Sequence, residues 1–374
     1  MRQWVNIRSV LIFLTFIGFN SCDTSRQASA APPSHTITSR PKNVIFLIGD
    51  GMGLPQITGA MYMNNNKTVF EKFLSIGFHK SHSSDNLVTD SAAGATAFAS
   101  GVKTYNGAIG VNAQKQSVPT LLEMAEKKGM ATGLIATSSI THATPAAFYA
   151  HVEGRSDNES IARALLNSGV DIFVGGGLDY FARRKDSMEL VAQLSQKGYI
   201  VSDFFNHEID KWNTKTDKNI GFFTANGEPL PVREGRDYFP VAVSKTLDFL
   251  KDRSPSGFFL MIESSQIDWG GHSNDGNYVI TELLEFEKII QQTLDFAERD
   301  GSTLIVVTSD HETGGFAVNP GSTLNNINVA FTTKSHTALM IPVFATGPGE
   351  ELFRGMYENT DIFFKIKDLL QLAN

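Results

Sequence analysis

Six stretches of the chain are apolar without alternation: Val44–Ile48, Gly133–Thr137, Asp171–Val174, Phe258–Ile262, Thr303–Thr308 and Ile341–Ala345. Unbroken runs of this length, rich in β-branched residues, predict strands covered on both faces, as in a parallel sheet. Between them, apolar positions recur at helical spacing. Residues 119–128 gather Leu121, Leu122 and Ala125 on one side and stop at Gly129. Ser156-x-x-Glu159 reads as a capping box that opens a helix over 159–167. Residues 282–299 set Leu283, Phe286, Ile290 and Leu294 near one stripe and stop at Asp300-Gly301. Strands alternating with helices predict a doubly wound α/β fold, with a mostly parallel central sheet flanked by helices. Residues 201–240 are less regular and read as an insertion on the substrate side.

The start of the chain follows another pattern. Arg2 and Arg8 flank the beginning of a stretch that ends in the apolar run Val10–Phe19. That run is too short to cross about 30 Å of hydrocarbon as a helix, and it fits the apolar core of a secretory signal. Residues 1–21 are therefore read as a signal peptide. Cys22 is either the lipidated first residue of a bacterial lipoprotein or an incidental cysteine after a simple cleaved signal, and its position favours lipidation. Residues 22–42, rich in Ser, Ala and Pro, read as a flexible tether, and 43–374 as one folded domain. The expected location is outside the cytoplasm, periplasmic or on the outer membrane, with membrane contact only through a lipid at Cys22.

Cys22 is the only cysteine, which excludes an internal disulfide and a cysteine-rich zinc module. Lys and Arg number 32 against 39 Asp and Glu, a net charge of −7. Without a Lys/Arg-rich run, that balance leaves no electrostatic footprint for nucleic acid.

Candidate chemistry lies where the predicted strands end. In an open α/β sheet, ligands bind beyond the carboxyl ends of the strands. The first strand runs into Asp50. The 258–262 strand runs into Glu263, then Asp268 and His272. The 303–308 strand runs into Asp310-His311-Glu312, the 133–137 strand leads to His142 and Thr144, and His336 precedes the last strand. Carboxylates packed together repel, and burying them uncompensated is costly; divalent cations resolve that conflict. Mixed Asp/His shells suit zinc, and carboxylates with a hydroxyl suit magnesium. In Thr89-Asp90-Ser91-Ala92-Ala93-Gly94, the small residues after Ser91 permit a helix whose N-terminus an anion can approach. From spacing alone Ser91 is either a helix cap or a nucleophile.

The blocks Asp50-Gly51-Met52-Gly53, Thr89-Asp90-Ser91-Ala92-Ala93, His142-Ala143-Thr144-Pro145-Ala146, Glu263-x4-Asp268-x3-His272, Thr308-Ser309-Asp310-His311-Glu312-Thr313-Gly314-Gly315 and His336-Thr337 resemble bacterial alkaline phosphatases, in the family's order. The resemblance implies one zinc held by Asp268, His272 and His336, and a second held by Asp50, Asp310 and His311. It implies a third metal, usually magnesium, shared by Asp50, Thr144 and Glu263. Ser91 matches the nucleophile and Arg155 the phosphate-clamping arginine, with Asp90, His142 and Trp269 around them. The implied reaction is hydrolysis of phosphate monoesters through a phosphoserine, and a homodimer is the implied assembly.

The chain departs from the best-known members at His142, where many have an aspartate, at Trp269, where some have a lysine, and in its short 311–336 stretch. His142 could ligate a metal or hold a water; relatives with the same His/Trp pair favour the supporting role. His35, His79, His82, His151 and His207 match no motif and read as surface or core residues. A sulfatase is weakly supported, since Ser91 is followed by Ala-Ala-Gly rather than x-Pro-x-Arg. A phosphodiesterase would be expected to lack the Arg155 clamp, and a binding protein would not need a nucleophile.

Overall fold

A computed structural model of the chain describes Met1 and residues 39–373; the run Val10–Phe19, Cys22 and most of the tether lie outside the described residues. The apolar runs form strands. Along the chain come β1 (Asn43–Gly49), β2 (Ser75–Lys80), β3 (Ala131–Ser139), β4 (Ile172–Gly176), β5 (Ile200–Asp203), β6 (Ile220–Phe223), β7 (Phe258–Ser264) and β8 (Thr303–Thr308). Four two-residue strands follow, β9 (Glu312–Thr313), β10 (Ala317–Val318), β11 (Val329–Ala330) and β12 (His336–Thr337), then β13 (Ile341–Thr346) and β14 (Gly355–Glu358). Ten of these make one sheet, ordered β14-β2-β13-β8-β1-β7-β3-β4-β6-β5. β13 runs antiparallel to β2 and β8, and the other pairings are parallel.

Side chains alternate across β1, yet both faces are covered. Val44, Phe46 and Ile48 pack with Phe98 and Phe148 on one side, while Ile45 and Leu47 pack with Leu283, Phe286 and Ile290 on the other. Every residue of β1, β3, β7 and β8 is buried, which removes any polar alternation from their sequences. The first face carries the helix α2 (Ser91–Ser100), and the second carries α1 (Leu54–Met63) and the long helix Gly276–Asp300.

Several boundaries differ from the pattern. Residues 201–240 are not a separate insertion: most of β5 and all of β6 come from them and extend the sheet at one edge. The Ser156 capping box does not form. Asp157 stands next to the first helical residue, and its carboxylate accepts from Ser160 N at 3.1 Å. A true capping box joins Thr120 and Glu123 at the helix Leu121–Lys127. The long helix starts at Gly276 because Asp275 caps it, accepting from Tyr278 N at 3.0 Å.

Glu126, on the helix Leu121–Lys127, gives a pH prediction. Its carboxylate accepts from Thr132 Oγ1, and burial pushes its pKa up to about 7. A carboxyl whose folded pKa exceeds its unfolded one binds protons more tightly in the native state, so stability falls as pH rises from about 4.5 to 7. Glu126→Gln should therefore be more stable than the parent at pH 8 and lose that advantage by pH 5, read from urea midpoints at both values. A variant that is less stable at pH 8 would refute this account.

Candidate active site

β8, β1, β7 and β3 are neighbours in the sheet and end in register: Ile48 faces both Thr308 and Glu263, and Glu263 faces Ala136. Their carboxyl ends therefore deliver Asp50, Glu263 and the Asp310-His311 pair to one place, with His142 and Thr144 arriving just beyond β3. The helix Gln266–His272 adds Asp268, Trp269 and His272, and β12 adds His336. Gly51 has φ +74°, and a Cβ there would meet Asp268 Cα at 2.7 Å. The Asp50 loop and the Asp268 helix can approach this closely only over a glycine.

α2 begins at Ser91. Its N-cap is Asp90, whose carboxylate accepts from Ala93 N at 3.0 Å, and all ten helical residues are buried. The run of small residues lets α2 lie directly on the Asp310 segment; a Cβ at Gly94 would sit 3.0 Å from Asp310 Cβ. This places Ser91 Oγ 3.3 Å from His311 Nε2. Ser91 is the first residue of the helix and the neighbour of the candidate ligands; the cap is Asp90, so the cap reading of Ser91 does not hold.

The imidazoles are held in one tautomer. His272 Nδ1 donates to the Lys334 carbonyl at 2.7 Å, and His336 Nδ1 donates to the Thr89 carbonyl at 2.8 Å. A carbonyl can only accept, so each neutral ring keeps its Nε2 lone pair for the site. His311 Nδ1 lies 3.3 Å from Thr313 Oγ1. The Nε2 atoms of His272 and His336 are 3.1 Å apart, 3.3 and 3.5 Å from the two Asp268 carboxylate oxygens. His311 Nε2 stands 3.2 Å from Asp310 Oδ2 and 3.6 Å from Asp50 Oδ1, and its ring stacks on His336 with centroids 3.5 Å apart.

These distances test whether a cation fits. Among the described residues, both Asp50 carboxylate oxygens, Asp310 Oδ2, Glu263 Oε1 and Thr144 Oγ1 are buried without a hydrogen-bond partner. So many orphaned acceptors at one point are costly unless a positive charge neutralises them. Burial, and then the Asp310 charge, raise the Asp50 carboxyl well above the ordinary range. Burial takes Glu263 up to about 7, and burial with the Asp268 charge takes Asp310 up to about 6. Burial also acts on Asp268, but without a cation the hydrogen bond with His272 outweighs it and holds that carboxyl low, while raising His272 to about 9; that ring is then protonated on Nε2, the position a cation would take. Three sets of donors with metal-ligand spacing result: Asp268, His272 and His336; Asp50, Asp268 and His311; and Asp50, His142 and Glu263. The residues fit a multi-cation centre.

Arg155 projects into the same cleft. Asp90 Oδ2 accepts from Arg155 Nη1 and from Gly107 N, each at 3.0 Å, which aims the guanidinium. Arg155 Nη2 lies 3.4 Å from His142 Nε2. Burial and then the Arg155 charge lower the His142 pKa to about 3, so that ring is neutral and its Nε2 accepts. Trp269 meets His142 edge-on, with ring centroids 6.1 Å apart. Ser91, Arg155, Asp268, His272 and His336 line an open cleft of about 490 Å³ together with Asn86, Asn106 and Ser335.

Sequence reasoning passed over several supporting groups. Ser138 Oγ donates to Glu263 Oε2 at 3.2 Å, and Thr313 Oγ1 donates to Asp268 Oδ1. Thr313 stood in a recognised block, which was the available signal; Ser138 carried none. His79 is fully buried in the core and its Nε2 donates to the Ser309 carbonyl at 2.9 Å. His151 bridges the Gly110 carbonyl and Glu123, and His82 donates to the Ser83 carbonyl, so both are structural.

A family model described as alkaline phosphatase matches residues 41–328. Alkaline phosphatase 3 of Bacillus subtilis is 31% identical, covering 96% of each chain. The Escherichia coli alkaline phosphatase is 30% identical over 88% of this chain and 86% of its own. Among solved structures, the alkaline phosphatase of the Antarctic bacterium TAB5 superposes with a TM-score of 0.82 at 43% identity, over 90% of this chain and 99% of that one. A histidine-to-aspartate variant of the TAB5 enzyme, with Mg bound in the M3 site, superposes equally well at 42% identity. With most of its length inside the family model and relatives matched nearly end to end, the chain belongs to the alkaline phosphatase family.

Proposed function

We propose that this alkaline phosphatase, a metal-dependent hydrolase of phosphate monoesters, works through Ser91 as nucleophile and Arg155 as phosphate clamp. The observation that carries the reading is the convergence of Ser91 Oγ, partnerless buried carboxylates and Nε2 lone pairs on one cleft. Asp268, His272 and His336 would hold one zinc; Asp50, Asp310 and His311 would hold a second; Asp50, Thr144 and Glu263 would hold magnesium, with His142 beside it. When bound, such cations lower the pKa of a neighbouring hydroxyl or water and offset charge on the reacting phosphoryl group.

The chain's own residues do the rest. Two N–H groups of Arg155 grip two phosphate oxygens, and Asp90 keeps the guanidinium in that orientation. The N-terminus of α2 adds its dipole to the same anion. Ser91 Oγ, held at the mouth of that helix, loses its proton to solvent and forms a bond to phosphorus as the bond to the ester oxygen breaks, and the departing alcohol oxygen takes a proton from water. Water then takes the phosphoryl group from Ser91 and restores the hydroxyl. The signal peptide, periplasmic or outer-membrane location, lipid at Cys22 and homodimer remain part of this proposal. Their support is the apolar run before Cys22 and the family resemblance.

Arg155 separates a monoesterase from a diesterase, because a diester has one fewer free phosphate oxygen to grip. The parent should hydrolyse p-nitrophenyl phosphate far faster than bis(p-nitrophenyl) phosphate. Arg155→Ala should lower kcat/KM for the monoester roughly 10- to 100-fold and leave the diester rate nearly unchanged. Equal losses on both substrates would refute the clamp.

A further inference from the structure

Glu312 has no part in the reaction described above, yet it is the most heavily engaged carboxylate near the site. It is fully buried. Oε1 accepts from Gln56 Nε2 at 2.6 Å and from Phe316 N at 3.0 Å; Oε2 accepts from Gly315 N at 3.2 Å and from Thr337 Oγ1. None of these four donors is a cation. A buried carboxylate neutralised only by hydrogen bonds is a poor way to gain stability, because apolar packing of the same volume does at least as well. Its value is geometric, since four directional bonds fix its neighbours in one arrangement.

Those neighbours are the segments that bear the metal ligands. Glu312 follows His311 directly. Thr337 follows His336 and pairs with Glu312 across the two-stranded β9–β12 ladder. Gln56 comes from the first turns of α1 and also donates to the Thr313 carbonyl at 2.9 Å. Gly53, three residues after Asp50, lies so close that a Cβ there would meet Glu312 Cγ at 2.5 Å. One carboxylate is thus the meeting point of the three segments that supply Asp50, His311 and His336.

We propose that Glu312 is a positioning residue whose carboxylate locks the segments bearing Asp50, His311 and His336 together and so sets how tightly the centre holds zinc. The inference rests on the assignment of those residues as zinc ligands. Groups that orient ligands from behind change metal affinity by about 10- to 100-fold when removed, whereas a purely structural group changes only the unfolding midpoint.

The test is zinc affinity measured on the loaded protein by competition with a chromogenic chelator, for the parent, Thr337→Val, Glu312→Gln and His336→Ala. Thr337→Val removes a single donor to Glu312 and leaves the other three bonds. It should weaken one zinc about 10- to 100-fold while the midpoint of the metal-free protein moves by no more than about 4 °C. Glu312→Gln, which turns an acceptor into a donor that faces donors, should weaken both zincs. Parental zinc affinity in Thr337→Val overturns the proposal, whether or not Glu312→Gln folds. Parental affinity in His336→Ala overturns the ligand assignment and the proposal with it; lost zinc there beside normal affinity in Thr337→Val refutes the role of Glu312 alone.

Discussion

Ser91→Ala will lower turnover of p-nitrophenyl phosphate by about three orders of magnitude or more, while zinc content stays at the parental level. The change removes one oxygen from the first residue of α2. It leaves Asp90 as the cap, Gly94 against Asp310, and every carboxylate and imidazole of the centre in place. Alanine is also a good helix former, so folding should be unaffected. The fall must then appear in kcat, with binding of inorganic phosphate by Arg155 largely preserved. Acid quenching of the parent with labelled substrate should trap phosphate on Ser91, and the variant should trap none. A variant with turnover within tenfold of the parent would remove Ser91 from the chemistry.

Metal removal should have an effect of similar size, and Asp50 gives it a distinctive signature. Chelation should abolish hydrolysis and lower stability, by about 4 kcal/mol if free zinc had stood a thousandfold above its dissociation constant. In the stripped protein at pH 8, Asp50 is a buried acid with no hydrogen-bond partner among the described residues, beside Asp310, Asp268 and Glu263. Asp50→Asn removes the acid whose ionisation burial opposes. The variant should therefore unfold at a higher temperature than the parent when both are metal-free, and at a lower one when both are loaded with zinc. The crossing of the two orders is the measurement. Destabilisation of equal size in both states would mean that Asp50 is not a cation ligand.

How much of this was legible in the sequence depends on what kind of interaction made each feature. Val44–Ile48 and Thr303–Thr308 were readable because strands buried on both faces leave a short apolar run rich in β-branched residues, too short for a buried helix. β5 and β6 were not, since strands of four residues near the edge of a sheet give too short a signal to separate from a loop. β2 was missed for a different reason: its burial alternates, with Ile76 exposed between buried Ser75 and Gly77, so it has no continuous apolar run. The helix ends turned on competition between caps, as where Asp157 displaced Ser156. At the site, residue types at strand ends announced a cluster of acids and imidazoles, and the family resemblance sorted them into sets. Ser138, Thr313 and Glu312 act through hydrogen bonds to partners 125, 45 and 256 residues away, and no local pattern encodes partners that distant.

The cleft itself is asymmetric. Its charged and titratable lining, Arg155, Asp90, Asp268, His272 and His336, gathers with Ser91, while Asn86 and Ser335 are exposed and Val88 and Asn106 half-buried. In the roles proposed for Arg155 and the α2 terminus, the grip is directed at the phosphoryl half of the molecule, the half that an ester and its hydrolysis product have in common. Many alcohols can therefore ride in on the same handle, but the enzyme has little means to prefer reactant over product. As inorganic phosphate accumulates it will occupy the catalyst, and output will throttle itself when supply is plentiful.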